Sequence, residues 1–516
     1  MVFGQRLMRT EPESMTGVRE SLKTTALVLG GYLVLAAVVY SDSISGWFLS
    51  DEIIVFSEIS QLSLPEVLRS GGFFGNFVPA LYVSLWFDWH LFDLEPAGYH
   101  IHSIISVSVA ATLVFWLMRG FCTKMVSLFS GACFLILPPT VAVTSWVCTR
   151  HYLEGTIPAL AGAILIARYV ERPSWRTSSL AGLMYFLACL SKEIFAVLPA
   201  ALAFLPVARS ESDAFDRTKE PGITVSRRLN MRWLTVRLQL VTPLAIAAVT
   251  YLSWRSVAVD QLFIKKGFSQ SVPEMVGYFI QAWPRYSGWM FEPTRKAMMP
   301  WVGLIVATAL IIVIVGVLLL KRGPSVAAFA VTLFIAAALP SAMVLNSPKV
   351  AFLTVANHYC LRFIYLPAVI LLLFGVYALS RLPSRKAAVI GMAVLFLTIA
   401  FNGPRQTRPW INDGKITRGA ADVYRQWWNR PAVIASDVPL SLHVGLRKLW
   451  IAEEGQPEIL ARVISTRNRK PRQSIRVDDA YLAEPGITFV EDLQWKKTTR
   501  VLDRKTFLDR YAVPTQ

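Results

Sequence analysis

Four short segments put ionisable side chains where apolar ones would cost less. Asp51 and Glu52 stand together in SDEIIVF, Arg150 and His151 in TSWVCTRHYLEG, Lys192 and Glu193 in LACLSKEIFAV, and His358, Arg362 and Tyr365 in NHYCLRFIYLP. Two carboxylates and several cations on one face suit an anionic ligand such as a phosphate, with a carboxylate beside it for proton transfer. Each residue also has an ordinary reading. Asp51 and Glu52 alone would be solvated loop acids, Lys192-Glu193 could mark a turn between short helices, and Arg150 and Arg362 could snorkel to an interface. His100 and His102 read as polar residues at a helix end. The coincidence of four segments at one depth lifts the set above these readings.

The elements that must hold these residues are membrane spans. The chain has 516 residues, 54% hydrophobic and only 17% charged, against about 25% charged in soluble domains. Its mean hydropathy is +0.46. Apolar runs near 26–43, 98–118, 125–143, 153–170, 178–191, 194–208, 238–257, 301–320, 325–345, 361–380 and 387–402 predict about eleven transmembrane helices. The first, preceded by Arg6, Arg9, Arg19 and Lys23, reads as a retained anchor. The five cysteines lack C-x-x-C spacing and support neither a disulfide framework nor a zinc knuckle.

Charge placement orients the spans. Of the formal +18 charge, much falls in alternate short loops: Arg119 and Lys124; Arg168, Arg172 and Arg176; Lys321 and Arg322; Arg381, Arg385 and Lys386. That pattern puts the N-terminus in the cytoplasm. The loop 44–97 is acidic and lies opposite, whereas the outer loop 258–300 dissents with five basic residues. The charge therefore speaks for membrane lipid and topology, with no nucleic-acid partner. Two domains are expected: residues 1–402 in the membrane, and 403–516 as a small extracytoplasmic α/β domain. In the latter, 431–436 reads as a strand and 418–429 and 440–454 as helices.

With these segments in order, the chain resembles the polytopic GT-C glycosyltransferases, of the protein O-mannosyltransferase, lipid A aminoarabinose transferase and TPR-linked mannosyltransferase type. NFVPALYVSLWFDWHLFDLEPAGYHIHS resembles their Pro-containing amphipathic helix leading through a Gly-Tyr-His turn into the second span. SDEIIVF is similar to the acidic motif of their first outer loop. The Arg150 turn, the Ser191-Lys192-Glu193 break and the Arg362-to-Pro367 span start follow in family order. Ser103 and Val107 replace the Asn and His typical of the TPR-linked type, and the tail carries no 34-residue repeat. The likeness is thus to the superfamily, over roughly residues 20–402.

The resemblance implies transfer of a sugar from a polyprenyl-phosphate donor, usually with inversion, on the extracytoplasmic face. The acceptor would be a cell-envelope glycan such as lipopolysaccharide, a lipid or a protein. Asp51 becomes the base and Glu52 its neighbour, orienting the acceptor or joining a metal site. Arg150, Lys192 and Arg362 become the phosphate clamp, with His151, Tyr365 and His358 nearby and Glu193, His100 and His102 as further polar groups. A divalent metal is an open alternative, because the acids and histidines are oxygen and nitrogen ligands. The expected setting is a bacterial inner membrane with the C-terminus in the periplasm. Two other classes compete: a transporter or flippase of lipid-linked saccharides, against which the one-sided polar groups and the lack of paired halves speak, and a membrane scaffold with a binding tail.

Overall fold

The computed structural model describes residues 15–69, 77–204, 225–259, 300–322, 324–345, 361–402, 407–427, 432–436, 462–465, 488–494, 498–503 and 505–506. The helices are α1 (Met15–Val39), α2 (Ser41–Ile44), α3 (Ser50–Ile59), α4 (Leu64–Arg69), α5 (Pro79–Phe92), α6 (Pro96–Arg119), α7 (Lys124–Ile136) and α8 (Pro138–Ser145). They continue as α9 (Arg150–Glu171), α10 (Trp175–Ser191), α11 (Val225–Val259), α12 (Pro300–Arg322), α13 (Pro324–Leu345), α14 (Tyr365–Ser380), α15 (Arg385–Asn402) and α16 (Thr407–Trp427). The described residues of each of the eleven predicted apolar runs fall mainly on helix. Five helices among the described residues are long and apolar enough to cross a membrane, or six if a bent pair counts as one span.

The exceptions have local causes. The run 125–143 divides into α7 and α8 with a 53° bend. Pro138 and Pro139 open α8 and cannot donate to the preceding turn. The run 194–208 begins as a 3-10 segment, Glu193–Phe204, carrying Pro199. Lys192 between it and α10 is extended (φ −160°, ψ 137°), which is the break expected at Lys192-Glu193.

Outward faces are apolar. Leu27, Val34 and Val38 on α1, Leu238, Val241, Ile246 and Val249 on α11, and Val389, Ile390, Val394 and Leu397 on α15 are all exposed. Such bands are costly in water and at home in lipid. Inside, several polar side chains find backbone partners: Ser108, Thr112, Ser130, Thr144 and Thr156 bond the carbonyl four residues back. Tyr32 and Tyr40 donate to the carbonyls of Leu128 and Leu135 on α7. α10 and α11 approach so closely that a Cβ on Gly182 would lie 2.9 Å from Pro243 backbone atoms, so only glycine fits there.

Beyond α15, helix α16 starts at Thr407, earlier than the predicted 418. Strand β1 (Ala432–Ser436) falls within the expected 431–436; β2 (Arg462–Ser465), β3 (Thr488–Leu493) and β4 (Thr498–Leu502) join it in a mixed sheet of order β2-β1-β3-β4. β1 runs parallel to β2 and β3, and β4 is antiparallel to β3. Ile434 pairs with Val490, and both are buried. The predicted helix 440–454 lies outside the described residues.

Candidate functional site

The loop 44–97 is mostly helical, and its first helix carries the acids. Leu49 is extended (φ −92°, ψ 174°) and α3 follows, so Asp51 and Glu52 occupy the first turn, where the helix dipole favours negative charge. Glu52 is 1% exposed. Its Oε2 accepts from the Leu49 N–H at 2.7 Å and its Oε1 from the Cys148 N–H at 3.2 Å. The first bond caps α3. The second ties the loop to the 3-10 turn Val147–Thr149 that opens α9. Both oxygens are thus engaged with backbone amides.

Burial pushes the Glu52 carboxyl up to about 7, against the pull of the two amides. A group raised in the folded state stabilises the fold below its unfolded value and loses that contribution as pH rises through the folded value. From 4.5 to about 7 the change is worth about 3 kcal/mol. The melting temperature in detergent is therefore expected to fall between pH 5 and pH 8. Glu52→Gln should flatten that slope; an equally steep slope in the variant would refute the assignment.

Asp51 is half-buried beside Glu52. Burial raises its carboxyl above the usual carboxylate range, and the Arg362 guanidinium pulls the other way. Arg362 comes from the 3-10 turn Leu361–Ile364 that opens α14. Its guanidinium carbon lies 4.2 Å from the Trp146 ring centroid and 4.7 Å from that of Phe363. Among the described residues it has no carboxylate within ion-pair distance. Aromatic faces hold a guanidinium without neutralising it, and its in-plane N–H donors stay available.

Tyr152 links this pair to the Lys192 break. The Lys192 Nζ lies 5.7 Å from the Tyr152 ring centroid and 3.1 Å from Glu193 Oε1. The charges of Lys192 and Arg362 both bear on Tyr152 and on His151, whose ring packs on Tyr152 at 4.6 Å. His151 Nδ1 is 2.9 Å from the Cys148 carbonyl. Its Nε2 and the Glu193 Oε2 are buried with no hydrogen-bond partner among the described residues. Charge effects thus connect Asp51 with Arg362 and both cations with His151, and an ion pair joins Lys192 to Glu193.

Arg150 does not join them. It is 0% exposed, with Nη2 2.6 Å from Asp88 Oδ2 and Nε 2.8 Å from Glu154 Oε1. Nη2 also donates to Ser84 Oγ at 2.7 Å, and Nη1 to the Tyr99 carbonyl at 3.3 Å. Two carboxylates outweigh its charge and four of its five N–H donors are used, which speaks for a structural role and against its expected place in the phosphate clamp. Asp88, one of the acids of the loop 44–97, is buried. It shares the inward face of α5 with Leu81, Tyr82 and Leu85, a three- and four-residue spacing that could have betrayed it. His102 Nδ1 lies 2.8 Å from Asp88 Oδ1.

The remaining expectations sort by position. His100 lies against the Gly46 backbone and lines a small cavity with Ser43, Glu52, Ser145 and Trp410. Tyr365 is fully buried, with its ring edge-on to Tyr152 at 6.1 Å. His358 falls outside the described residues. Among the described residues no three His, Cys, Asp or Glu side chains come together as a metal-holding group: His102 is held by Asp88 and His151 by a carbonyl. Trp146 and Trp410, which stack at 4.9 Å, were not singled out by the sequence reading; a lone tryptophan carries no signal of its partner.

No family model matches the chain. No curated protein matches it. Among solved structures it is similar to ArnT from Cupriavidus metallidurans bound to undecaprenyl phosphate, at 14% identity and a TM-score of 0.39, over 89% of this chain and 92% of that one. It is also similar to the apo state of the same protein, at 14% identity and a TM-score of 0.35, over 91% and 93%.

Proposed function

We propose that the protein is an integral-membrane glycosyltransferase that moves a sugar from a polyprenyl-phosphate donor to an acceptor at the extracytoplasmic face of a bacterial inner membrane. The observation that carries this reading is the Arg362 guanidinium held by aromatic rings with no carboxylate at ion-pair distance among the described residues, its charge still felt by half-buried Asp51. Asp51 takes the proton from the acceptor hydroxyl as that oxygen attacks the anomeric carbon. The bond to the donor phosphate breaks on the opposite side, with inversion. Charge on the departing phosphate rises in the transition state, so Arg362 stabilises it selectively; Lys192 adds less, because Glu193 already pairs with it. Glu52, bound through both oxygens, holds Asp51 in place and does not react. Arg150 holds the fold and not the phosphate. The acceptor class is a cell-envelope glycan, a lipid or a protein, and residues 403–516 form the periplasmic domain.

The test is reconstitution with labelled lipid-linked sugars extracted from a bacterial membrane. Wild-type protein is expected to form a new glycosidic bond. Arg362→Ala should lower that rate roughly 10²-fold, and Arg362→Lys less. Label crossing the bilayer with no bond formed would instead establish a transporter.

A further inference from the structure

The tail helix α16 meets the site at two places, one turn apart. Trp410 is 4% exposed and stacks on Trp146 with ring centroids 4.9 Å apart and planes inclined by 27°. The same Trp146 ring carries the Arg362 guanidinium at 4.2 Å. Four residues on, Gly414 abuts the loop that leads into α3: a Cβ there would lie 2.5 Å from the Trp47 carbonyl oxygen and 3.1 Å from its nitrogen. Positions i and i+4 share a helix face. One face of α16 therefore touches both arms of the site, the cation arm through Trp146 and the acid arm through Trp47, four residues before Asp51.

From this we infer that α16 is a positioning element and that Trp410 is a positioning residue, holding Arg362 on the Trp146 ring while leaving its N–H donors free for a lipid phosphate. A guanidinium on an exposed aromatic ring is held weakly, and desolvation strengthens the contact. Trp410 supplies that desolvation by stacking on the ring and fixing its tilt. A carboxylate could have fixed Arg362 too, as Asp88 and Glu154 fix Arg150, but would have cancelled the charge. The tail is then part of the site. The use of Arg362 in donor capture rests on the glycosyltransferase reading; the coupling of Trp410 to Arg362 does not.

The experiment uses the full chain in detergent with undecaprenyl phosphate as probe and undecaprenol as the uncharged control. Trp410→Ala is expected to weaken undecaprenyl phosphate binding roughly tenfold, while Trp410→Phe, which keeps a ring, stays within about threefold. In Trp410→Ala/Arg362→Ala, binding should be no weaker than in Arg362→Ala alone, and the double loss in melting temperature should be smaller than the sum of the single losses. Wild-type binding in Trp410→Ala, or additive losses in melting temperature, would overturn the inference. If the wild type does not bind undecaprenyl phosphate, the donor reading falls. The melting cycle then decides alone: non-additive losses uphold the coupling and additive losses overturn it.

Discussion

Asp51→Asn is expected to abolish sugar transfer, lowering the rate on the order of 10³-fold or more, while the protein keeps its fold. The two halves of this outcome have one cause. Burial raises the Asp51 carboxyl although Arg362 opposes it, so ionised Asp51 is held at a cost to the fold. The neutral amide removes both the base and that cost. The melting temperature of Asp51→Asn should therefore match or exceed that of the wild type, most clearly at high pH, where the wild-type group is ionised. In the wild type, the acid limb of the pH–rate profile should stand above the ordinary aspartate value, because the base works only when deprotonated and its carboxyl is raised. Single-turnover transfer and thermal melting on the same preparation check both statements. Full transfer by the variant would remove Asp51 from the mechanism; lost transfer with a collapsed melt would make it structural.

Arg150→Met should behave in the opposite way. It leaves Asp88 and Glu154 without their shared cation, and removing one partner of a buried ion cluster costs about 3–5 kcal/mol. Low expression and a strongly depressed melting temperature follow. Restoring neutrality in Arg150→Met/Asp88→Asn/Glu154→Gln should recover much of the loss, because matched polar or apolar groups replace buried ion pairs at small cost. A phosphate-clamp arginine would show the reverse: donor binding lost, stability kept or improved. An Arg150→Met protein that melts like the wild type would return Arg150 to the clamp. The comparison with Arg362→Ala is direct, since one arginine is matched by carboxylates and the other rests on rings.

Much of the fold was legible because it depends on local quantities. Run length and apolar content predict helices, since a backbone in lipid must satisfy its hydrogen bonds within one segment. Lys192-Glu193 announces its break as charge within an apolar stretch, whereas 125–143 reads as one run although its prolines bend it. The β1 strand was readable from five residues, whereas the start of α16 at Thr407 was not, because its polar first turns gain their order by packing on the membrane part at Trp146 and Trp47.

The site divides the same way. Sequence by itself marked which charged residues interrupt apolar runs, for a charge near lipid is costly wherever it stands. Only the tertiary structure decided which charges remain usable. Arg150 and Arg362 look alike in sequence, each at the head of an apolar run. Their difference arises from partners far along the chain: Asp88, on the inward face of α5, takes Arg150, while Trp146, backed by Trp410 of the tail, takes Arg362. Pairing depends on distance in space to within a few tenths of an ångström, and no local pattern encodes it. A carboxylate partner cancels a cation and an aromatic partner preserves it, so the packing of the helices selects which arginine can meet a phosphate.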